Sequence, residues 1–444
     1  MLNRRSLLVK GSLGAVGLPL LGSPVWAAAG DLSPLAAASR DAWLYGLVLI
    51  EMAGSRAETL GSVAPNRIFH ARALTTPETQ RVTTPNNDTL YSRSWINLNA
   101  GPVRVTLPRT GKRYLSVAFM DMYSNNFALL GTRTTGGDGG TFTLVGPNAA
   151  TTDPLAIRAP TPWVWMLSRL LVDGDADLAA ANAIHGQLKL DAPAAPAPAK
   201  FATRAAPWNE YFDSVQRLIV ENPPPVTDDL LFERIAPLGL GPKGGFNPNR
   251  FSADQRREIE AGIAAARTSL KSTRRQGQVI DGWVFPKLTL GDFGQDYFYR
   301  AQVSLGGLAA LPRAEAMYMR PLSERGTVTF DSSENWKLTL PADRLPPVDA
   351  FWSMTMYRAT NDGQYFFFDN PINRYAIGNR TAGLRKDADG GLTIWMSRND
   401  PGAERRANWL PLPSEGPFAP VFRAYMPKPE FVDGDYHLPA MTRA

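Results

Sequence analysis

The spacing of apolar residues along this chain alternates between a helical and a strand period, and each change predicts a boundary. Over residues 33–58, Leu44, Leu47, Val48 and Met52 recur at helical intervals behind Ser33 and Pro34. That pattern predicts a helix with a serine cap and a first-turn proline. Between 81 and 146 the period drops to two. Val103, Val105 and Leu107 alternate with Arg104 and Thr106, and Leu115, Val117 and Phe119 alternate with small residues. Turns at 108–112 and 136–140 separate these runs from a further strand at 141–145. Short strands so spaced predict a sandwich or barrel.

Residues 159–190 read as helix again, with Trp163, Trp165, Met166, Leu170 and Leu171 in one apolar run. A Pro/Ala segment at 191–206 predicts a loop. Helical spacing resumes at 208–220, 227–235 and 252–272, the last opened by Ser252 and Gln255 as a capping box. Tyr297, Arg300, Ala301, Ser304 and Leu305 predict another helix within 291–311. The remainder is strand-like, at 336–340, 351–357, 392–396 and 418–425, with turns rich in Asp, Asn, Gly and Pro. The expected fold is mainly β with a helical middle region and two β-sandwich or jelly-roll-like domains. Its expected divisions are a leader at 1–27, a sandwich at 35–158, a helical connection at 159–290 and a second sandwich at 291–440.

The leader reading rests on Arg4, Arg5 and Lys10, a Gly/Leu-rich run and small residues near Ala27 and Ala28. This resembles a twin-arginine signal peptide cleaved near Ala27-Ala28, which predicts a periplasmic or secreted protein. No later apolar run is long enough to span a membrane. The formal charge of +6 falls to about +3 without the leader, which carries three basic residues and no acid. That is too weak a charge to predict nucleic-acid binding. Zero cysteines exclude a thiolate nucleophile, a Cys-ligated metal and a disulfide.

Several familiar motifs fail on context. Gly239-Leu240-Gly241-Pro242-Lys243-Gly244 fits a dinucleotide fingerprint by spacing, yet it follows a helix and contains proline. Asp173, Asp175 and Asp177 resemble the start of a calcium loop, but Leu178 and Ile184 stand where Gly and Glu are needed. Asp387 and Asp389 read as a hairpin turn. His70, His185 and His437 are far apart in sequence and form no metal-ligand spacing. His70 is the best candidate for a lone base, with a structural role the simpler reading.

The stretch TTPNNDTLYSRSW at 83–95 is the strongest candidate. Proline, two amides and a carboxylate make a rigid polar loop that leads into a strand. Asn86, Asn87 and Asp88 offer hydrogen-bonding groups, Tyr91 or Tyr123 an aromatic face, and Arg93 or Arg133 a partner for an acidic ligand. Asp121, Asn125 and Asn126 sit on a second loop. Such oxygens suit a hard cation, Ca²⁺ or Mg²⁺, or a polyhydroxylated ligand. Asp88 with Asp121 suits acid/base chemistry. All of these groups equally suit bracing the turns of a sandwich. In the second half, Asp369, Asn370, Asn373, Arg374 and Tyr375 cluster within seven residues, and Asn408 with Trp409 are candidate neighbours. A structural role is the favoured reading there.

The block at 85–95, Asp121-Met122-Tyr123-Ser124-Asn125 and Gly131-Thr132-Arg133-Thr134-Thr135 resemble the bacterial domain of unknown function 1254. Gly294-Gln295-Asp296-Tyr297 with Arg300-Ala301, the run at 345–352, Asp369 through Gly378 and Asn408-Trp409-Leu410-Pro411 resemble its usual partner, domain of unknown function 1214. The resemblance implies two sandwich-like domains flanking a helical region, often in exported proteins, and no established reaction. The expected function is an exported periplasmic protein holding a small polar or sugar-like ligand. A hydrolase or lyase using Asp88 and Asp121, and an envelope scaffold acting through homo-oligomer contacts, are the alternatives.

Overall fold

The computed structural model describes residues 32–80, 83–272, 277–360 and 363–444; the signal-peptide reading lies outside the described residues. The chain forms two β-sandwiches and a helical layer, mainly β with the helical middle region expected from the sequence. Seven α-helices are described: α1 (Pro34–Leu60), α2 (Leu178–His185), α3 (Trp208–Glu221), α4 (Asp229–Ile235), α5 (Ala253–Ser272), α6 (Tyr297–Gly306) and α7 (Pro429–Val432).

In the first sandwich a five-stranded sheet has the order Phe69–His70, Thr89–Asn97, Trp163–Leu171, Leu115–Met120, Asn126–Gly131. It packs on a four-stranded sheet of Ile157–Arg158, Gly140–Val145, Val103–Leu107 and Lys189–Asp191. Leu90, Ile96, Val105, Val117, Phe119, Val164 and Met166 fill the space between them. The helix expected over 159–190 is corrected here: Trp163–Leu171 is the central strand, paired along its length with Thr89–Asn97. Its even positions enter the sandwich core, while Trp163, Trp165, Leu167 and Leu171 face the helices. A strand covered on both faces is apolar throughout, so the two-residue alternation that would reveal it is absent.

The helices cover the outer face of the five-stranded sheet, with α1 buried along most of its length. Ser33 caps α1 by accepting from the Ala36 amide. Two glycines set how closely its neighbours approach. A Cβ on Gly46 would lie 2.5 Å from a Val215 methyl of α3, and one on Gly262 of α5 would lie 2.1 Å from the Ala36 carbonyl oxygen. The capping box of α5 forms as expected, Gln255 N–H to Ser252 Oγ at 3.3 Å and Ser252 N–H to Gln255 Oε1 at 3.0 Å.

The second sandwich sets an eight-stranded sheet, built around Ala316–Pro321, Pro417–Pro427 and Val348–Ala359, on a four-stranded one. Trp352, Met354, Met356, Phe422 and Ile394 form its core. The alternate positions, among them Tyr318, Ser353, Thr355, Tyr357, Arg423 and Tyr425, lie on the opposite face of the large sheet. Several of them bond the first domain's 83–88 loop, so this second face looks inward. Among the described residues no helix is long and apolar enough to cross a membrane.

Candidate functional site

The Pro-Asn-Asn-Asp loop is seated on the inward face of the second sandwich. Asn86 Nδ2 donates to the Tyr425 hydroxyl at 2.6 Å, and its Oδ1 accepts from the amides of Asp88 and Thr89. Ser353 Oγ donates to Asp88 Oδ2 at 2.7 Å. The Tyr357 hydroxyl donates to the Pro85 carbonyl at 2.5 Å. Thr84 takes φ of 55°, a left-handed conformation that a β-branched residue rarely adopts, and its N–H reaches the Tyr365 carbonyl at 2.8 Å. Strain of this kind persists only where the surroundings over-determine the backbone. Asn87 turns away and donates to the Thr75 carbonyl at 2.6 Å.

Beside this loop a cavity of about 1030 Å³ opens between the sandwiches. Its walls come from α1, the 69–75 and 83–91 segments, Trp165, Leu167 and Arg169 of the central strand, the 284–310 region, and Tyr318, Arg320, Val421 and Arg423 of the second sandwich. Of the residues singled out in sequence, Asn86, Tyr91 and Arg93 line it. Arg93 sits over the Phe69 ring at 4.8 Å and 3.8 Å from Glu58.

Two wall residues missed in sequence matter most. Arg169 and Arg423 are 6% and 3% exposed, and neither forms an ion pair among the described residues. Arg169 Nη2 donates to the Ala309 carbonyl at 3.1 Å and its guanidinium lies 5.3 Å from the Tyr91 ring, while Nη1 has no protein partner. Arg423 donates to the hydroxyls of Tyr357 at 2.6 Å and of Thr355, leaving Nε without a partner. Each is a lone cation inside an apolar strand, WVWMLSRLL and PFAPVFRAYMP, and that interruption was the legible signal. Burial raises the Asp88 carboxyl above its ordinary value, opposed by the Arg423 charge and the Ser353 hydrogen bond.

The other candidates are placed elsewhere. Asp121 accepts from the amides of Tyr123 and Asn125 at 2.9 Å each, closing its own turn. Burial pushes its carboxyl up to about 6, against the pull of the Asn125 bonds and the Arg300 charge. Asp88 thus answers to Arg423 and Asp121 to Arg300, two separate surroundings. Asn125 Oδ1 accepts from the Phe293 amide, and Asn126 donates to the Gly291 and Ala310 carbonyls. Tyr123 is buried and donates to the Asn222 carbonyl at 2.8 Å. Arg300 lies over the rings of Tyr45, Tyr297 and Tyr123 at 5.1, 5.1 and 5.5 Å. Arg133 Nε donates to buried Glu315 at 2.6 Å, tying the two sandwiches together.

In the second sandwich Arg374 donates to the carbonyls of Ala407 and Trp409 at 3.0 and 2.8 Å, an arrangement internal to that domain. Asn370 accepts from the Arg374 amide, Asn408 clasps the Arg385 backbone, and Trp409 is buried with its indole on the Ser397 carbonyl. Tyr375 packs on Phe367 with ring centroids 5.0 Å apart, while Asp369 and Asn373 are exposed.

The fold also brings two distant histidines together. Ser92 Oγ lies 2.7 Å from His70 Nδ1 and 2.6 Å from His185 Nε2. Ser92 is fully buried on the strand face that looks into the first sandwich, so this trio fastens α2 to the sheet edge. Among the described residues no group of three or more His, Cys, Asp or Glu side chains could hold a metal ion.

One solved structure agrees with this architecture. The chain is similar in fold to the crystal structure of the VPA0106 protein from Vibrio parahaemolyticus, with a TM-score of 0.69 and 23% identity over 92% of this chain and 100% of that one. An uncharacterised protein from Burkholderia cenocepacia is more distant, with a TM-score of 0.46 and 13% identity over 89% of this chain and 86% of its own. No curated protein matches the sequence significantly. Residues 65–192 match the protein of unknown function family DUF1254, and residues 315–429 match the protein of unknown function family DUF1214. The chain therefore carries a DUF1254 region followed by a DUF1214 region, the pairing its motifs resemble.

Proposed function

We propose that this is an exported periplasmic protein that binds a small polar ligand in the cavity between its two sandwiches. The observation that carries the reading is the composition of the wall: Asn86, Tyr91 and Arg93 from one sandwich and Tyr318, Arg320 and Arg423 from the other face the same space. Its volume of about 1030 Å³ suits a small organic molecule. Ligand pockets combine an apolar lining with a few fixed polar groups, and sites at domain boundaries are common. The 83–88 loop serves this site as a scaffold, because the Asn86 amide and the Asp88 carboxylate are bonded to the second sandwich.

Thermal unfolding of the chain from Ala28 onward tests the reading. The panel holds sugars, sugar acids, small carboxylates and divalent cations, with Tyr91→Ala as the comparison. A ligand at a hundredfold excess over its Kd stabilises the native state by about 2.7 kcal/mol. A rise in Tm lost in Tyr91→Ala supports the site. A panel without effect, or an equal rise in both proteins, counts against it. Sizing the protein with and without ligand separates this reading from an oligomeric scaffold.

A further inference from the structure

Resting on the ligand site proposed above, we infer that the cavity takes an organic anion with an apolar body, of the medium-chain carboxylate type. The wall holds five arginines, Arg93, Arg169, Arg204, Arg320 and Arg423, against the two acids Glu51 and Glu58. Both acids are taken: Glu51 pairs with Arg204 at 2.9 Å and Glu58 with Arg93 at 3.8 Å. Arg169, Arg320 and Arg423 are left without a carboxylate in ion-pair distance among the described residues. Burying a guanidinium without a counter-charge is unfavourable, and at Arg169 and Arg320 a ligand carboxylate supplies the missing anion with bidentate geometry, while Arg423 already feels the Asp88 charge.

The rest of the lining suits a ligand whose acidic end is joined to an apolar part. Asn86 is the only carboxamide in the wall among the described residues, and its donor and acceptor atoms are already spent on Tyr425 and the loop backbone. Leu290, Val303 and Leu308 offer an apolar surface instead, and Phe69 and Leu305, two large apolar side chains left exposed, border the same cavity. An exposed apolar rim on a cation-rich cavity matches an amphiphile with one acidic end.

Isothermal titration with decanoate, decan-1-ol and glucuronate tests the inference on the intact protein and on Arg169→Met and Arg320→Met. Decanoate binds, decanol binds at least about tenfold more weakly, and each substitution lowers decanoate affinity about tenfold or more while leaving decanol unchanged. The Arg320 side chain is half-buried, lies over the Tyr365 ring and makes no hydrogen bond among the described residues, so Arg320→Met decides the matter if Arg169→Met does not fold. Decanol binding as tightly as decanoate overturns the anion assignment. Glucuronate binding without decanoate overturns the apolar body and leaves the ligand site standing. No binding by any of the three, with no Tm shift from the wider panel, removes both.

Discussion

Asn86 Nδ2 and the Tyr425 hydroxyl meet at 2.6 Å across the boundary between the sandwiches, joining residues 339 positions apart in the chain. The same amide accepts from the backbone of Asp88 and Thr89, so one side chain shapes the loop and docks it. Removing it leaves a hydroxyl and two amides without partners. Asn86→Ala is expected to lower stability by about 2–4 kcal/mol, since each buried group left unsatisfied costs about 1–3 kcal/mol. Urea unfolding measures the loss.

Arg133 and Glu315 form the second cross-domain tie. Glu315 also accepts from the Tyr114 hydroxyl at 2.9 Å and is almost fully buried. Arg133→Met strands that carboxylate and is expected to cost about 2–4 kcal/mol, somewhat less than the roughly 3–5 kcal/mol for a fully buried pair because Arg133 is one-third exposed. Adding Glu315→Gln removes the stranded charge, and the double variant is expected to recover part of the loss. Equal stability of single and double variants contradicts the assignment.

Asp121 and His185 give opposite pH signatures. The folded carboxyl of Asp121 is raised to about 6, so the native state holds its proton longer than the unfolded chain does. Its contribution is greatest below pH 4 and is lost as pH rises toward 6. His185 is lowered to about 4, chiefly by burial and then by the His70 charge, so its contribution is present above the ordinary histidine range and is lost as pH falls toward 4. Asp121→Asn should therefore become more stable relative to the parent as pH rises from 4 to 6, by about 3 kcal/mol at one pKa unit per 1.36 kcal/mol. His185→Gln should gain relative to the parent in the other direction, as pH falls over the same window. Chemical denaturation at several pH values reads both slopes.

Gly262 tests the helical layer. Alanine there places a methyl carbon 2.1 Å from the Ala36 carbonyl oxygen, a backbone atom that moves only with α1. Gly262→Ala is expected to destabilise by about 1–3 kcal/mol through overpacking, despite alanine's better helix propensity. A Tm at or above that of the parent contradicts the close packing of α1 on α5.

The two-sandwich plan and most elements were legible because their apolar periods are clean, as in Val103–Leu107 and α5. Trp163–Leu171 was not, since both of its faces are buried and an all-apolar run carries no period. The loop at 83–88 was legible as rigid and polar. Its partners Ser353 and Tyr357 stand 265 and 272 residues from their contacts, and no local pattern announces a pairing at that range. Asn86, Tyr91 and Arg93 were found through the loop, whereas Arg169 and Arg423 show in the sequence only as lone cations in apolar strands, and their shared cavity appears only once two sheets face each other.

Gly54 gives the most direct test of the cavity itself. It lies in α1, lines the cavity, and a Cβ there meets nothing within 4 Å. Gly54→Trp therefore fills ligand space without a clash at its first carbon and removes a helix-interior glycine, which is unfavourable by about 1 kcal/mol relative to alanine. The measurement is the ligand-induced change in Tm for the parent and for Gly54→Trp. The account predicts an unliganded Tm at or above the parent's, with the ligand shift abolished. A variant that folds and still shows the full shift would contradict it, because the ligand would then be bound elsewhere.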